Sequence, residues 1–228
     1  MATPTAKPAF LFDLDGTLID SVYEHVLAWR EALRDLKIEL STWRIHRRVG
    51  MSGGVILTAL QRETGRKLTK EEIERLRRLH SEAFMKRVGE VRPLPGAQEL
   101  LNTLSDSSVP WAIATSSMEE HARKAVKVLD LRSKPQLITR NDVSHGKPFP
   151  DLFFAAAKRL KVDISDCIVV GDSIWDLLAA RRARALGVGL LCGGYGQDEL
   201  VEAGAYRVYA DPAELLRHID ELGVHVDL

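Results

Sequence analysis

The stretch from Phe10 to Leu18 constrains this chain more than any other. Phe10, Leu11, Phe12 and Leu14 form an almost unbroken apolar run that ends on two carboxylates, Asp13 and Asp15, followed by Gly16 and Thr17. Apolar residues at consecutive rather than alternate positions mark a strand buried on both faces, as in a parallel sheet covered by helices. Carboxylates at the carboxyl end of such a strand lie where open α/β sheets bind their ligands. Gly16 and Thr17 supply a turn in which the backbone can approach a ligand closely, and a turn beginning at Leu14 brings both acids toward one site.

Two acids so placed suit a metal and a phosphoryl group. Mg²⁺ takes hard oxygen ligands, often one or two carboxylates completed by water and substrate phosphate, and an Asp can itself carry a phosphoryl group as a covalent intermediate. Asp13 is then the candidate nucleophile. Asp15 is the candidate acid that protonates the leaving oxygen and later, as a base, takes a proton from water. An accidental Asp-x-Asp in a surface turn is the bland alternative, and the apolar strand in front of the pair counts against it.

The bulk properties narrow the partners. Thirty-two basic residues cancel 32 acidic ones in 228, so no global field points to nucleic acid or to an anionic membrane, and any anion site is local. Met1 to Pro8 leads into no uninterrupted apolar h-region, because Asp13 and Asp15 break the run, and no 18-residue apolar stretch occurs elsewhere. A soluble, cytoplasmic protein is expected, with no membrane partner and an undetermined oligomeric state. The two cysteines, Cys167 and Cys192, sit beside apolar strand-like runs in a chain large enough to need no staple, and read as buried free thiols.

Along the chain, Asp20-Ser21 opens a helix in which Ser21 and Glu24 have capping-box spacing and Val22, Val26, Trp29, Leu33 and Leu36 form one apolar stripe. A short helix over Trp43 to Arg48, a loop over Gly50 to Gly54, a helix over Val55 to Glu63 and a long one over Thr69 to Val88, capped by Thr69 and Glu72, follow, with no strand pattern among them. Pro93 and Pro95-Gly96 then punctuate the chain. Beyond them helices and strands alternate as in a βαβ sheet: helices over Ala97 to Leu104, Met118 to Leu129, Asp151 to Leu160 and Ile174 to Leu186, and strands over Trp111 to Thr115, Gln136 to Thr139, Cys167 to Val170 and Val188 to Leu191. Asp211 caps a last helix that has Pro212 at its first position. Gly193 to Gly196 reads as a turn. The expected fold class is α/β, a doubly wound parallel-sheet (Rossmann-like) core over residues 1–19 and 92–228, with an inserted α-helical cap over 20–91.

Three further clusters sit where the core strands end. Thr115-Ser116-Ser117 follows the strand at Trp111; such residues serve as plain N-caps or contribute to a phosphate site at a helix start. Lys147 lies in His145-Gly146-Lys147-Pro148-Phe149-Pro150-Asp151, a loop stiffened by two prolines, where a lysine is either solvated or held in a fixed direction. His145 has no second ligand at metal spacing and reads as surface polar. Asp172, after the strand at Cys167 and Gly171, caps a helix or binds a ligand, with Asp176 four residues on.

Taken in order, Asp13-Leu14-Asp15-Gly16-Thr17-Leu18, Thr115-Ser116, the Lys147 loop and Gly171-Asp172-Ser173-Ile174-Trp175-Asp176 resemble the four motifs of the haloacid dehalogenase superfamily, most of whose members are Mg²⁺-dependent phosphatases. The resemblance implies that Asp13, Asp15 and Asp172 hold Mg²⁺, with Asp176 as a partner behind them. It also implies that Gly16, Thr115, Ser116 and Lys147 contact the phosphate, and that Asp13, Asp15, Thr115 and Lys147 carry the catalysis of a small phosphorylated substrate.

The cap start, Asp20 to His25 with Ala28 and Trp29, is similar to the branch that holds β-phosphoglucomutases and phosphoglycolate phosphatases. His25 falls where the mutases link cap and core, and equally where an ordinary helix-surface residue sits. Arg47-Arg48-Val49-Gly50-Met51-Ser52 looks like that branch's substrate loop, although an exposed arginine pair is also simply solvated. Three departures oppose a true mutase: Gly53, Met118-Glu119 and Gly171 replace the expected arginine, Lys-Asn pair and acid. Asp15 counts against dehalogenase chemistry, and Lys37, Lys67 and Lys70 are weak candidates for a phosphonatase Schiff base. A phosphatase is the main reading. Phosphoryl transfer within a sugar and a catalytically idle binding or regulatory relative are the alternatives.

Overall fold

The computed structural model describes residues 8–226. The reading of the chain start through Lys7, and the last two residues assigned to the core, lie outside the described residues.

The elements come in the order β1 (Ala9–Phe12), β2 (Ile19–Asp20), α1 (Val22–Asp35), α2 (Thr42–His46), α3 (Gly53–Thr64), α4 (Lys70–Arg87), β3 (Arg92–Pro93), α5 (Ala97–Asp106), β4 (Trp111–Ala114) and α6 (Glu119–Val126). They continue with β5 (Leu137–Ile138), α7 (Asp151–Leu160), β6 (Cys167–Gly171), α8 (Ile174–Ala183), β7 (Leu186–Leu190), α9 (Gln197–Ala203), β8 (Ala205–Tyr209) and α10 (Pro212–Arg217). Six strands form one parallel sheet in the order β5-β4-β1-β6-β7-β8. This is a doubly wound α/β fold, as the sequence predicts.

The strand β1 is buried on both faces because successive side chains point opposite ways. Phe10 and Phe12 join a cluster with Leu100, Leu104, Val170 and Leu215 on one face, while Ala9 and Leu11 join Ala114, Leu152, Phe153 and Val169 on the other. That two-sided burial accounts for the unbroken apolar run. It also places β1 between β4 and β6, so that the chain segments after all three strands meet at one sheet edge, at the point where the strand order reverses.

Helices α1 to α4 gather around a cluster of their own. The α1 stripe of Val22, Val26, Trp29, Leu33 and Leu36 meets Ile56, Leu57, Leu60 and Leu76. The chain enters and leaves this insert through a two-residue antiparallel pair, Ile19 opposite Pro93 and Asp20 opposite Arg92. Two residues carry no readable period, so the sequence offers no sign of these strands. The α4 capping box forms as predicted, with Thr69 Oγ1 accepting from Glu72 N–H at 3.2 Å.

Two local expectations differ from the structure. Ser21 precedes α1 but makes no cap bond with its side chain; its hydroxyl donates to Asp15 Oδ1 at 2.7 Å instead, because a buried carboxylate within reach is a stronger acceptor than a helix end is a donor. The helix expected to reach Leu186 stops at Ala183, with Arg184 in the left-handed region at φ 61. Leu186 already belongs to β7. The left-handed stop position holds an arginine rather than the glycine that usually announces it, so the sequence hides the stop. The turn read at Gly193 to Gly196 is present, and α9 and β8, not individually expected, complete the sheet edge.

Candidate active site

Asp13, Asp172 and Asp176 bring carboxylate oxygens within 4.8 Å of one another, all buried. Lys147 reaches them from the loop before α7. Its side chain has 0 % exposure, its Nζ donates to Asp13 Oδ1, and it lies 2.6 Å from Asp176 Oδ1. Burial disfavours the ammonium, but the two carboxylates outweigh it and raise the Lys147 pKa above its ordinary value. Three carboxyl groups against one ammonium leave up to two negative charges uncompensated in a water-poor setting. Burial first, then the neighbouring Asp176 and Asp15 charges, push Asp13 up to about 7 against the pull of Lys147. Burial with Asp176 and Asp13 likewise raises Asp172. Hard oxygen donors carrying excess negative charge are what a divalent cation such as Mg²⁺ requires.

The resemblance sets Asp15 among the metal acids and Asp176 behind them; the carboxylates gathered together here are Asp13, Asp172 and Asp176. Both Asp15 oxygens are engaged elsewhere: Oδ1 accepts from Ser21 and lies 3.2 Å from His25 Nε2, while Oδ2 accepts from Ser117 Oγ at 2.8 Å and from Thr115 Oγ1 at 3.4 Å. Burial pushes the Asp15 carboxyl up, but His25 and these hydroxyls hold it well below the usual carboxylate range. Asp176 uses Oδ2 to cap α8 through Ser173 N–H and Oγ, at 3.2 and 2.5 Å, which leaves Oδ1 for Lys147.

Two glycines make room for this cluster. Gly16 has φ +86, and a Cβ there would come 2.6 Å from Asp172 Oδ2. Its N–H is taken by Ile19 O at 2.8 Å, so this residue spaces the acids. A Cβ at Gly171 would lie 2.3 Å from Asp176 Cβ, which is why no acid stands before Asp172. Gly171→Ala is expected to displace Asp176 and cost about 1–3 kcal/mol, as overpacking does. An unchanged urea midpoint together with an unchanged rate would sink that account.

The remaining expected residues divide. Thr115 is buried, its Oγ1 accepting from Ser117 N–H at 3.0 Å. Ser116 lines the cleft, and its buried hydroxyl has no hydrogen-bond partner. His25 joins the insert to the core through Asp15, and its Nδ1 lies 3.3 Å from His80 Nε2. His145 is on the surface beside Asp151. The α6 start, expected to offer free N–H groups, has the Glu119 N–H on Asn141 Oδ1 at 2.9 Å.

Arg47 and Arg48 do not line the cleft. Arg47 pairs with Glu199 of α9 and stacks over Tyr195, 4.0 Å from the ring centre, while its carbonyl accepts from Tyr195 OH and Trp175 Nε1. Arg48 pairs with Glu63 inside the insert. Acidic partners brought near by the fold claim both guanidinium groups. With His46 Nε2 2.8 Å from Gly193 O and Ser52 N–H on Lys147 O at 3.1 Å, this loop fastens the insert to the core.

His80, Ser81 and His121 also line the cleft, of about 1100 Å³, beside Ser117, and no sequence motif marks these three as site residues. The one available signal was His80, four residues from both Leu76 and Phe84 on an otherwise apolar helix face.

These features define an α/β protein with a buried cluster of carboxylates and a lysine at the carboxyl edge of its sheet. Residues 7–184 match the haloacid dehalogenase-like hydrolase family, and the chain belongs to it. It is 53% identical to a hydrolase from Pseudomonas syringae of solved structure, with a TM-score of 0.92 over 94% of this chain and 99% of that one. It is 33% identical to hexitol phosphatase A of Escherichia coli over 76% of this chain and 78% of that protein. It is 30% identical to phosphoglycolate phosphatase of Colwellia psychrerythraea over 84% and 88%. No helix among the described residues is long and apolar enough to cross a membrane.

Proposed function

We propose that the chain is a Mg²⁺-dependent phosphatase that hydrolyses a small phosphorylated metabolite through an aspartyl-phosphate on Asp13, with the helical insert acting as its cap. The observation that carries this is the fully buried Lys147 between Asp13 and Asp176, beside Asp172, one ammonium among three carboxyl groups. Asp13, Asp172 and Asp176 are the residues that would hold the ion. Bound there, Mg²⁺ supplies charge neutralisation for the phosphoryl oxygens and for the nucleophile.

Lys147 holds the Asp13 carboxylate and opposes the charge that builds on the phosphoryl oxygens as Asp13 attacks, so the stabilisation is preorganised. The unpartnered Ser116 hydroxyl and the Thr115 turn face the same space. Asp15 is held as an anion by His25, Ser21 and Ser117, the protonation state in which it can accept a proton from water in the second step. In the first step the nearby phosphate dianion raises its proton affinity, since like charge disfavours ionisation, so Asp15 takes up a proton from solvent as the substrate binds and passes it to the leaving oxygen. The likeness to two phosphatases supports the reaction class. Two unpaired thiols suit a reducing, cytoplasmic setting.

Hydrolysis is favoured over transfer within a sugar because a mutase needs a second anion clamp. The clamp positions here are Gly53, the exposed Met118, and Glu119, which pairs with Arg123 at 2.6 Å. With β-glucose 1-phosphate, Mg²⁺ and a trace of the 1,6-bisphosphate, inorganic phosphate or no product is expected. On any ester the enzyme hydrolyses, chelation is expected to stop turnover and Mg²⁺ to restore it. Rapid formation of glucose 6-phosphate without phosphate release would promote the mutase, and turnover indifferent to chelation would remove the metal.

A further inference from the structure

We propose that His80, Ser81 and His121 form a leaving-group subsite that selects monophosphates of neutral polyhydroxy compounds over esters bearing a second anionic group; this rests on the phosphatase reading above and adds the chemistry of the leaving group.

The cleft runs from Asp13 outward between α4 of the insert and α6 of the core. Its rim carries four arginines, and each already has partners. Arg77 pairs with Glu74 at 2.6 Å, Arg78 with Glu82 at 2.8 Å and Arg123 with Glu119 at 2.6 Å. Arg140 donates to the carbonyls of Val143 and Ser144. A carboxylate or second phosphate on the substrate would have to draw one of these away while lying in a cleft that also carries Glu74, Glu119, Glu120 and Asp15. Like charges at short range oppose that.

The interior offers hydrogen bonds instead of charge. Ser81 Oγ and His121 Nε2 lie 2.6 Å apart, one on the insert and one on the core, so the subsite exists only while the two are docked. His80 lies beside Ser81 in the sequence, its ring stacked 4.2 Å from that of Trp29. Burial first, and then the neighbouring His25, lower the pKa of both His80 and His121, which keeps the imidazoles neutral. A neutral imidazole has one donor and one acceptor, and a serine hydroxyl has both; with Ser81 on His121 Nε2 and His80 Nε2 against His25, each keeps one further position for a ligand, the other ring nitrogen of each histidine and the rest of the hydroxyl. Alcohol groups match that set in either sense, whereas a carboxylate only accepts. Trp29, Met51 and Ile56 add apolar wall for the carbon skeleton.

The test compares kcat/KM, with Mg²⁺ present, for sorbitol 6-phosphate, 2-phosphoglycolate, fructose 1,6-bisphosphate and p-nitrophenyl phosphate. Sorbitol 6-phosphate is expected to exceed the two doubly anionic esters by about tenfold or more. Ser81→Ala and His121→Ala are each expected to lower the ratio of sorbitol 6-phosphate to p-nitrophenyl phosphate by about tenfold, the effect of one lost hydrogen bond, chiefly through KM. His121→Gln, which keeps a donor and an acceptor, should recover part of the ratio. Ser81→Ala removes a single oxygen and decides the matter if His121→Ala fails to fold. Preference for 2-phosphoglycolate or the bisphosphate, or a ratio unmoved by Ser81→Ala, overturns the subsite alone. No hydrolysis of any of the four by the wild-type protein overturns the phosphatase reading as well.

Discussion

Asp13→Asn is expected to abolish turnover without unfolding the protein. The amide is a poor nucleophile and forms no stable phosphoryl adduct, so the covalent route is lost outright. A variant that keeps more than about a hundredth of the wild-type rate would remove Asp13 from the nucleophile's role. The same substitution makes a stability prediction of opposite sign. Burial and the neighbouring carboxylates push Asp13 up to about 7 in the folded protein, from an ordinary value of 3.8. The folded state therefore binds this proton more tightly than the unfolded chain, and the stability it contributes fades as pH rises from about 4 through 7. Without metal, Asp13→Asn should be at least as stable as the wild type at pH 8, with the difference shrinking toward pH 4. Thermal melts of both proteins after chelation, at the two pH values, measure it. A variant clearly less stable at pH 8 would show that Asp13 stabilises the metal-free fold through Lys147 more than its charge strains it.

Lys147→Met carries the second largest effect, and here activity and stability fall together. Methionine fills the space of the lysine stem but leaves Asp13, Asp172 and Asp176 facing one another with no cation. Removing one partner of a buried ion pair costs about 3–5 kcal/mol because a charge remains uncompensated. The ammonium pKa lies above its ordinary value, so its contribution is fully present across the neutral range and is lost only when pH climbs beyond that of ordinary lysines. The deficit should be larger at pH 8 than at pH 5, where the carboxylates begin to take up protons in its place. Mg²⁺ should restore part of the stability while turnover stays low, because the phosphoryl oxygens still lack the ammonium. Urea midpoints with and without Mg²⁺, beside initial rates, separate these effects. Unchanged kcat and KM would return Lys147 to a purely structural part.

The two predictions draw on residues that are legible in the sequence to different degrees. Asp13 and Asp172 are announced locally, because an apolar run ends on each of them. Lys147 is announced only by the prolines around it; its burial and both of its partners lie far along the chain, Asp13 134 residues before it. The apolar stripe of α1, the α4 capping box and the alternation of strands and helices after Pro93 are short-range patterns, and the structure contains them all. The two-residue pair at the insert's stem and the stop of α8 at Arg184 have no such pattern.

Which strands neighbour one another, and so which loops share a site, is decided by packing and not by spacing. Asp15 lies two residues from Asp13, yet its carboxylate goes to His25, Ser21 and Ser117, since a hydroxyl and an imidazole within reach satisfy it better than a cluster already rich in negative charge. Asp176, far along the chain from Asp13, stands beside Lys147, 2.6 Å from its Nζ, because the fold brings the first turn of α8 to the lysine. Arg47 and Arg48 look in sequence like anion binders, and only the fold sets Glu199, Tyr195 and Glu63 against them. The sequence by itself determined the buried central strand, the acids at its end, the helical insert and the family. The tertiary structure alone decided which acids meet the lysine, where the arginines go, and that two histidines and a serine close the far wall of the cleft, because those outcomes depend on contacts between residues that no local period relates.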